Sequence, residues 1–293
     1  AITGAGEKLR TGVNTTKGVV GYDLTRLLIG SEGTLAIITG ATLKLTPLAE
    51  SQRTLQAIYR DVHSAAEAVS RIMAQPVTPC ALEFMDSTAI GMVREYSDLG
   101  LPDDAGALLM IEVDGPAAGI EASAKQVVAA ARGKGCVQID TARTDKEVDR
   151  LWHTRKALSP ALRTVAPKKI NEYVVFPLSQ IPALIGGLKA QSDDYQLTNV
   201  NFGHAGNGNI HVNLLVDPDD PLQMAQAAPC LDAVFDLVLS LGGSLSGEHG
   251  IGWVKREFVG RELDSTSLRL MAAIKRQFDP DNILNPGVVL PDS

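Results

Sequence analysis

Asn201-Phe202-Gly203-His204-Ala205-Gly206-Asn207-Gly208-Asn209-Ile210-His211 holds two of the chain's five histidines around a turn signal. Asn-Gly is the preferred dipeptide of a two-residue type I′ hairpin loop, because both positions tolerate positive φ. With Asn207 and Gly208 as the loop, pairing runs outward symmetrically and sets His204 opposite His211. Directly opposed residues share one face of an antiparallel pair, with Cβ atoms roughly 4.5–5.5 Å apart. The spacing therefore predicts a two-imidazole clamp for one metal ion. An ordinary cross-strand histidine pair has the same spacing, and both readings stand at this point.

A clamp needs a third ligand. Ser246-Gly247-Glu248-His249-Gly250-Ile251-Gly252 offers a carboxylate and another imidazole in a run too rich in glycine for a helix or a regular strand. Small neighbours let such a backbone approach a ligand closely. Two histidine nitrogens and one carboxylate oxygen suit zinc, manganese or iron(II) and leave positions open for a substrate. The competing reading is a solvated loop.

Composition narrows the classes. With 293 residues, 45% of them hydrophobic, the chain is long enough for one or two domains with a buried core. A formal charge of -7 and no Lys/Arg-rich block argue against a nucleic-acid surface and against a polybasic membrane patch. Cys80, Cys136 and Cys230 are odd in number and lack CxxC spacing, which fits a reducing compartment and core positions. The apolar run from Cys230 to Leu241 is too short to cross a bilayer and is interrupted by Asp232 and Asp236, so it reads as a buried amphipathic helix. No transmembrane or signal segment is expected. The chain begins without Met in a strand-like stretch and reads as a fragment or processed piece.

Residues 1–47 read as β-rich, with strands at Ala1-Ile2-Thr3, Lys8-Leu9-Arg10, Ile37-Ile38-Thr39 and Ala41 to Leu45. Between them, Gly30 and Gly33 around Ser31-Glu32 form either a turn that positions strands or a backbone surface open to a cofactor. Pro47 to Ser51 marks a boundary, beyond which strands and helices alternate. Strands are expected at Thr54–Tyr59, Ala81–Met85, Ala107–Val113 and Cys136–Ile139. Helices are expected from Asp61 through Met73, with Val62, Ala65, Ala66, Val69 and Ile72 on one face, and over Ala117–Ala131. This pattern predicts a sheet covered on one side by helices.

A helix capped by Asp145 follows, its apolar stripe drawn by Val148, Leu151 and Trp152, with Arg155 on the same stripe. A cation there either snorkels to the edge or meets an anion such as a substrate carboxylate. His153 and His63 read as surface residues. Tyr173 to Phe176 reads as a strand, Leu231 to Leu241 as a helix ended by Gly242-Gly243, and Leu268 to Phe278 as the last helix. Residues 279–287 are rich in turn formers, where Asn285 either caps a turn or contacts a ligand.

Together, Gly-Tyr-Asp-Leu at 21–24, Gly-Ser-Glu-Gly-Thr-Leu at 30–35, the hairpin at 203–211, Gly-Glu-His-Gly at 247–250 and Leu-Asn-Pro-Gly at 284–287 resemble the FAD-linked D-2-hydroxy-acid dehydrogenases. That family includes D-lactate dehydrogenase, the flavin subunit of glycolate oxidase and D-2-hydroxyglutarate dehydrogenase, within the vanillyl-alcohol-oxidase flavoprotein fold. The resemblance implies an α+β chain. It implies that residues 1–50 are the tail of an FAD-binding (PCMH-type) domain. It implies that residues 51–293 are a substrate or cap domain with an antiparallel sheet and flanking helices, the segment 279–293 returning towards the flavin. It implies cofactor contacts from Gly21, Gly30, Ser31, Glu32, Gly33, Thr34, Ile38 and Asn285. It makes His204, His211 and Glu248 the metal ligands, His249 the catalytic base, and Arg155, Lys169 and Asn209 the substrate-binding residues.

Three departures from the family pattern are visible. Ala36 stands for the glycine usual after Thr-Leu, Asn207 for a common Asp, and Tyr173 for a commonly acidic residue. The family's N-terminal glycine-rich pyrophosphate loop is not in this sequence, so the piece alone is expected not to retain FAD. The implied partners are a small 2-hydroxy acid and an electron acceptor: a cytochrome, a quinone, an electron-transfer protein or an iron–sulfur subunit. The implied location is cytoplasmic, or peripheral to the inner membrane through that acceptor. Competing readings are a non-catalytic metal- or acid-binding module and a metallohydrolase, since two histidines and a glutamate also activate water.

Overall fold

Alternating apolar residues in the middle of the chain build the sheet that carries the histidine hairpin. The computed structural model describes residues 1–97, 100–165 and 168–291. The chain divides into two compact units, one of Ala1–Thr46 with Leu245–Ser293 and one of Pro47–Ser244.

The first unit opens with β1 (Ile2–Thr3), α1 (Leu24–Leu28) and β2 (Ala36–Ile37), β1 pairing with β2 antiparallel. The β-rich expectation for residues 1–47 is not met. Lys8 makes only a single bridge to Ile2, and residues 41–45 form no strand. Val19, Val20, Leu43 and Leu45 are exposed, and a strand whose apolar face meets no partner gains little from being ordered.

The second unit runs β3 (Ser51–Tyr59), α2 (Val62–Ala74), β4 (Ala81–Asp86), α3 (Ser87–Tyr96), β5 (Ala107–Gly115), α4 (Ile120–Ala131), β6 (Cys136–Thr141), α5 (Asp145–Lys156), α6 (Leu158–Val165), β7 (Lys168–Val175), α7 (Ile181–Tyr195), β8 (Thr198–His204), β9 (Asn209–Val216) and α8 (Pro221–Ser240). The strands form one sheet in the order β6-β3-β5-β4-β8-β9-β7, every neighbouring pair antiparallel. Helices cover both faces, not one. Tyr59 donates its hydroxyl to the Ala131 carbonyl of α4, whereas Gln56, which points the other way from the same strand, reaches Thr154 of α5. On that second face Ile58, Met85, Leu108, Met110, Val200 and Phe202 pack with residues of α3, α5 and α6.

Local signals fix the helix ends. Asp61 caps α2 by accepting from Ser64 N at 2.7 Å. The cap of α5 is Thr144, one residue earlier than expected from Asp145. Thr144 and Glu147 form a reciprocal capping box that Asp145 cannot form. α8 is longer than the stretch from Leu231 to Leu241, because Asp220 caps it and Pro221 stands in its first turn, with Pro229 carried inside. At 20 residues and a mean hydropathy of 1.2 it is long and apolar enough by composition to span a bilayer. Its Cys230, Val234, Phe235 and Val238 are buried while Leu222 and Met224 are exposed, so the helix buries a single stripe.

The chain then re-enters the first unit with α9 (Val259–Glu262) and α10 (Ser265–Phe278), whose Ile274 and Phe278 pack on Leu28, Leu35 and Ala36. That unit takes in the chain from Leu245 onward, a wider return than 279–293; residues 292 and 293 lie outside the described residues.

Candidate functional site

The hairpin loop is four residues, not two. Ala205–Asn207 make one turn of 3-10 helix, Gly208 closes it at φ +75°, and His204 pairs with Asn209. Asn207 does not take the positive φ that a type I′ loop requires. The cause is tertiary. Ala205 is fully buried, and a Cβ on Gly206 would stand 3.3 Å from Leu82 Cβ, so packing against β4 draws both residues out of the ladder. His211 consequently opposes Phe202. The register differs from the expectation by two residues, and an even slip keeps every side chain on its face. His204 and His211 are diagonal neighbours on one face, ring centroids 5.1 Å apart and nearly perpendicular, with candidate ligand atoms within 4.8 Å of one another. The Tyr173 ring of β7 lies 4.2 Å from that of His211, tilted by 55°, and Phe202 stands 5.2 Å from the same ring.

Glu83, which the sequence reading passed over, sits opposite His204 across the β4–β8 pair and is 7% exposed. Its Oε1 meets His204 Nδ1, and its Oε2 accepts from Arg155 Nε at 3.1 Å. Of the two readings of Arg155, snorkelling to the edge or meeting an anion, the second holds, and the anion it meets is this buried carboxylate of the protein itself. Its guanidinium also lies 4.7 Å from the Phe202 ring centre. The pairing uses one nitrogen, and a guanidinium carries further N–H donors for a second anion. Only distance in sequence hid Glu83, 121 residues from His204 and 72 from Arg155.

Asn209 is buried and shares the face of His204 by register. Lys169 lies on that face too, but four residues from Tyr173, the partner of His211, which is roughly 13 Å along β7. Lys169 is exposed at its strand entrance, and burial of its stem with Arg163 nearby holds its ammonium below the usual lysine range.

In the first unit, a cavity of about 430 Å³ is lined by Leu28, Gly30–Gly33, Ala36–Ile38 and Ile283–Asn285. Six of the eight expected cofactor contacts therefore border one space: Gly30, Ser31, Glu32, Gly33, Ile38 and Asn285. Gly21 and Thr34 do not. The wall opposite Gly33 is held by a buried knot in which Lys275 donates to the carbonyls of Thr34 and Leu284 at 2.8 and 2.7 Å and pairs with Asp279. Burial opposes the charge on Asp279, but Lys275 and the Leu284 and Ile283 amides outweigh it and hold the carboxyl below its usual range.

Glu32 lines this cavity, yet its carboxylate is committed elsewhere. Oε1 accepts from Ile251 N at 2.6 Å and Oε2 from Gly252 N at 2.7 Å. A Cβ on Gly250 would stand 2.3 Å from Oε1, so glycine is required there for contact as well as for its φ of +77°. Glu32 thus fastens the irregular loop on which Glu248 and His249 stand exposed.

Both implied groups are compatible with the residues present. Two imidazoles on one face, one of them held by a carboxylate, are the donor set that divalent zinc-type ions take. Gly30 and Gly33, both at positive φ, give the cavity a wall without side chains for a nucleotide to approach.

Comparison with known proteins agrees with these features. Residues 48–289 match the family model "FAD linked oxidases, C-terminal domain". The chain is 37% identical over 282 residues to the glycolate oxidase subunit GlcD of Bacillus subtilis, covering 96% of this chain and 60% of that protein. It is 30% identical to the probable mitochondrial D-lactate dehydrogenase of Danio rerio, covering 94% of this chain and 55% of that one. Among solved structures, 4-ethylphenol oxidase from Gulosibacter chungangensis superposes with a TM-score of 0.71 at 18% identity, covering 99% of this chain and 65% of that one, a likeness of fold. The chain spans 55–60% of the length of these two relatives.

Proposed function

The chain belongs to the family of FAD linked oxidases, C-terminal domain, and from that membership we propose that it forms the substrate-oxidising part of a flavoprotein converting a D-2-hydroxy acid to the 2-oxo acid. The observation that carries the proposal is the pair His204 and His211 on one sheet face, with Arg155 bound to the same carboxylate as His204.

His204 and His211 hold a divalent ion in this reading, and Glu248 supplies the third ligand. A metal so held supplies a Lewis acid for the substrate's oxygens, and FAD supplies the hydride acceptor. Arg155 turns its remaining N–H donors to the substrate carboxylate and fixes its orientation. His249 takes the hydroxyl proton on its imidazole, while the α-hydrogen leaves with its electron pair. Asn209 faces the substrate from the hairpin. Lys169, farther along β7, reaches only the distal end of a longer acid. Gly30–Gly33, Ile38 and Asn285 border the flavin, and Glu32 keeps the 246–252 loop in place beside it. The two electrons taken from the substrate would leave through an acceptor separate from this chain.

The test uses the full-length flavoprotein with D-lactate, glycolate and D-2-hydroxyglutarate, reading flavin absorbance and bound metal. We expect bleaching by at least one acid, loss of metal in Glu248→Ala, and retained metal with most of kcat lost in His249→Ala. Equal metal loss in both variants overturns the roles given to these two residues. Hydrolysis without bleaching by any acid overturns the reaction.

A further inference from the structure

Resting on that reading and going beyond its ligand list, we propose that Glu83 is the positioning residue of the site: one buried carboxylate that sets both the nitrogen His204 offers to the metal and the direction in which Arg155 meets the substrate. Register puts it there. Glu83 and His204 are paired residues of β4 and β8, so their side chains rise from the same face about 5 Å apart. Arg155 reaches the other oxygen from the last turn of α5.

The division of the two oxygens gives the proposal its chemical content. A carboxylate only accepts, so the His204 nitrogen facing it, Nδ1, is the one that carries the proton. The imidazole then presents Nε2 to an ion. Hydrogen bonding of this kind fixes the ring's tautomer and rotation and makes it a better ligand. The second oxygen holds Arg155 through Nε, at the root of the guanidinium, while Phe202 supports the plane from below. The outer edge of the fork is thereby aimed instead of left to rotate. Burying a carboxylate at 7% exposure is costly unless it is paired, and here both partners are residues the reaction uses.

The experiment has two arms on the 293-residue chain. The first is 15N NMR of the histidine-labelled wild type without metal. The proposal requires His204 to carry its proton on Nδ1, and a signal showing it on Nε2 overturns the proposal with no variant needed. The second arm titrates Zn²⁺ alone into wild type and Glu83→Gln, which keeps the side chain's size. The expected result is binding weaker by about 10–100-fold with the tautomer preference of His204 lost. Unchanged zinc affinity in a folded Glu83→Gln chain overturns the proposal. A wild type that binds no divalent ion would instead count against the metal reading of the preceding section, and the tautomer measurement would still decide the role of Glu83.

Discussion

Gly33 lies against Asn285: a Cβ on the glycine would fall 2.7 Å from Asn285 Nδ2, and that same amide donates to the Glu32 carbonyl at 2.7 Å. Gly33 also sits at φ +69°. Replacing it with alanine adds left-handed strain of about 1–3 kcal/mol and pushes Asn285 off its carbonyl. We expect Gly33→Ala to lower Tm and, in the full-length flavoprotein, to reduce FAD retention after gel filtration. Unchanged FAD content would show that this wall of the cavity is not a flavin wall.

Gly208 is constrained in a different way. It sits at φ +75°, and a Cβ would stand 2.1 Å from the Phe176 carbonyl oxygen, so the obstacle is backbone and cannot rotate away. Gly208→Val should cost at least about 2 kcal/mol. Because the loop sets the β8–β9 register, zinc affinity should fall in the same variant. Calorimetry showing lowered Tm with unaltered zinc binding would separate the loop from the clamp.

Arg155→Lys keeps the charge but loses the planar fork that contacts Glu83 and is proposed to hold the substrate. In the full-length enzyme we expect KM for the 2-hydroxy acid to rise about tenfold, with a smaller change in kcat. A fall in kcat at constant KM would mean that Arg155 acts on the transition state alone.

Asp86 yields a pH prediction of defined sign. It is fully buried at the start of α3, accepting from the Ala89 amide and from both the amide and side chain of Asn201. Burial pushes its carboxyl up to about 6, the hydrogen bonds offsetting only part of the effect. Since the folded value exceeds the unfolded one of about 3.9, the folded chain binds more protons between them. The resulting stability is fully present below the unfolded value and is lost as pH rises through about 6. Asp86→Asn has no such proton to bind. Denaturant midpoints measured from pH 7 to pH 4 should show wild type gaining on the variant as pH falls, and a constant difference would refute it.

What the sequence disclosed follows the range of the forces involved. Local signals are legible: β4, β5 and β6 begin where the apolar runs begin and Asp61 caps α2, whereas the starts of β7 and α8 lie five and ten residues earlier than the periodicity alone marks them. Thr144 displaced Asp145 only because a reciprocal bond to Glu147 decides between two good caps. The hairpin turn was misread because Asn-Gly preference is weaker than the packing of Ala205 and Gly206 against β4. The shared face of His204 and His211 was still predicted, since parity survives an even slip. Of the strands expected in residues 1–47, short pieces at Ile2–Thr3 and Ala36–Ile37 pair, whereas 41–45 has strand composition but leaves Leu43 and Leu45 exposed and forms none. Glu83 and the grip of Glu32 on the Ile251 and Gly252 amides could not have been read, for each joins residues more than a hundred positions apart.

The strand order has a consequence in time. His204 and His211 belong to a hairpin that can close on its own, an event of roughly 1–10 μs, whereas Glu83 must find His204 across a sequence separation of 121. Non-local pairings form late, because the loop they close must first be ordered. The two imidazoles should therefore be neighbours in the refolding chain before anything fixes which nitrogen they present, and an ion arriving early would meet rings still free to turn. Pulse-labelled exchange should show the β8–β9 amides protected ahead of those between β4 and β8; the reverse order would mean that the carboxylate is waiting in place when the histidines arrive.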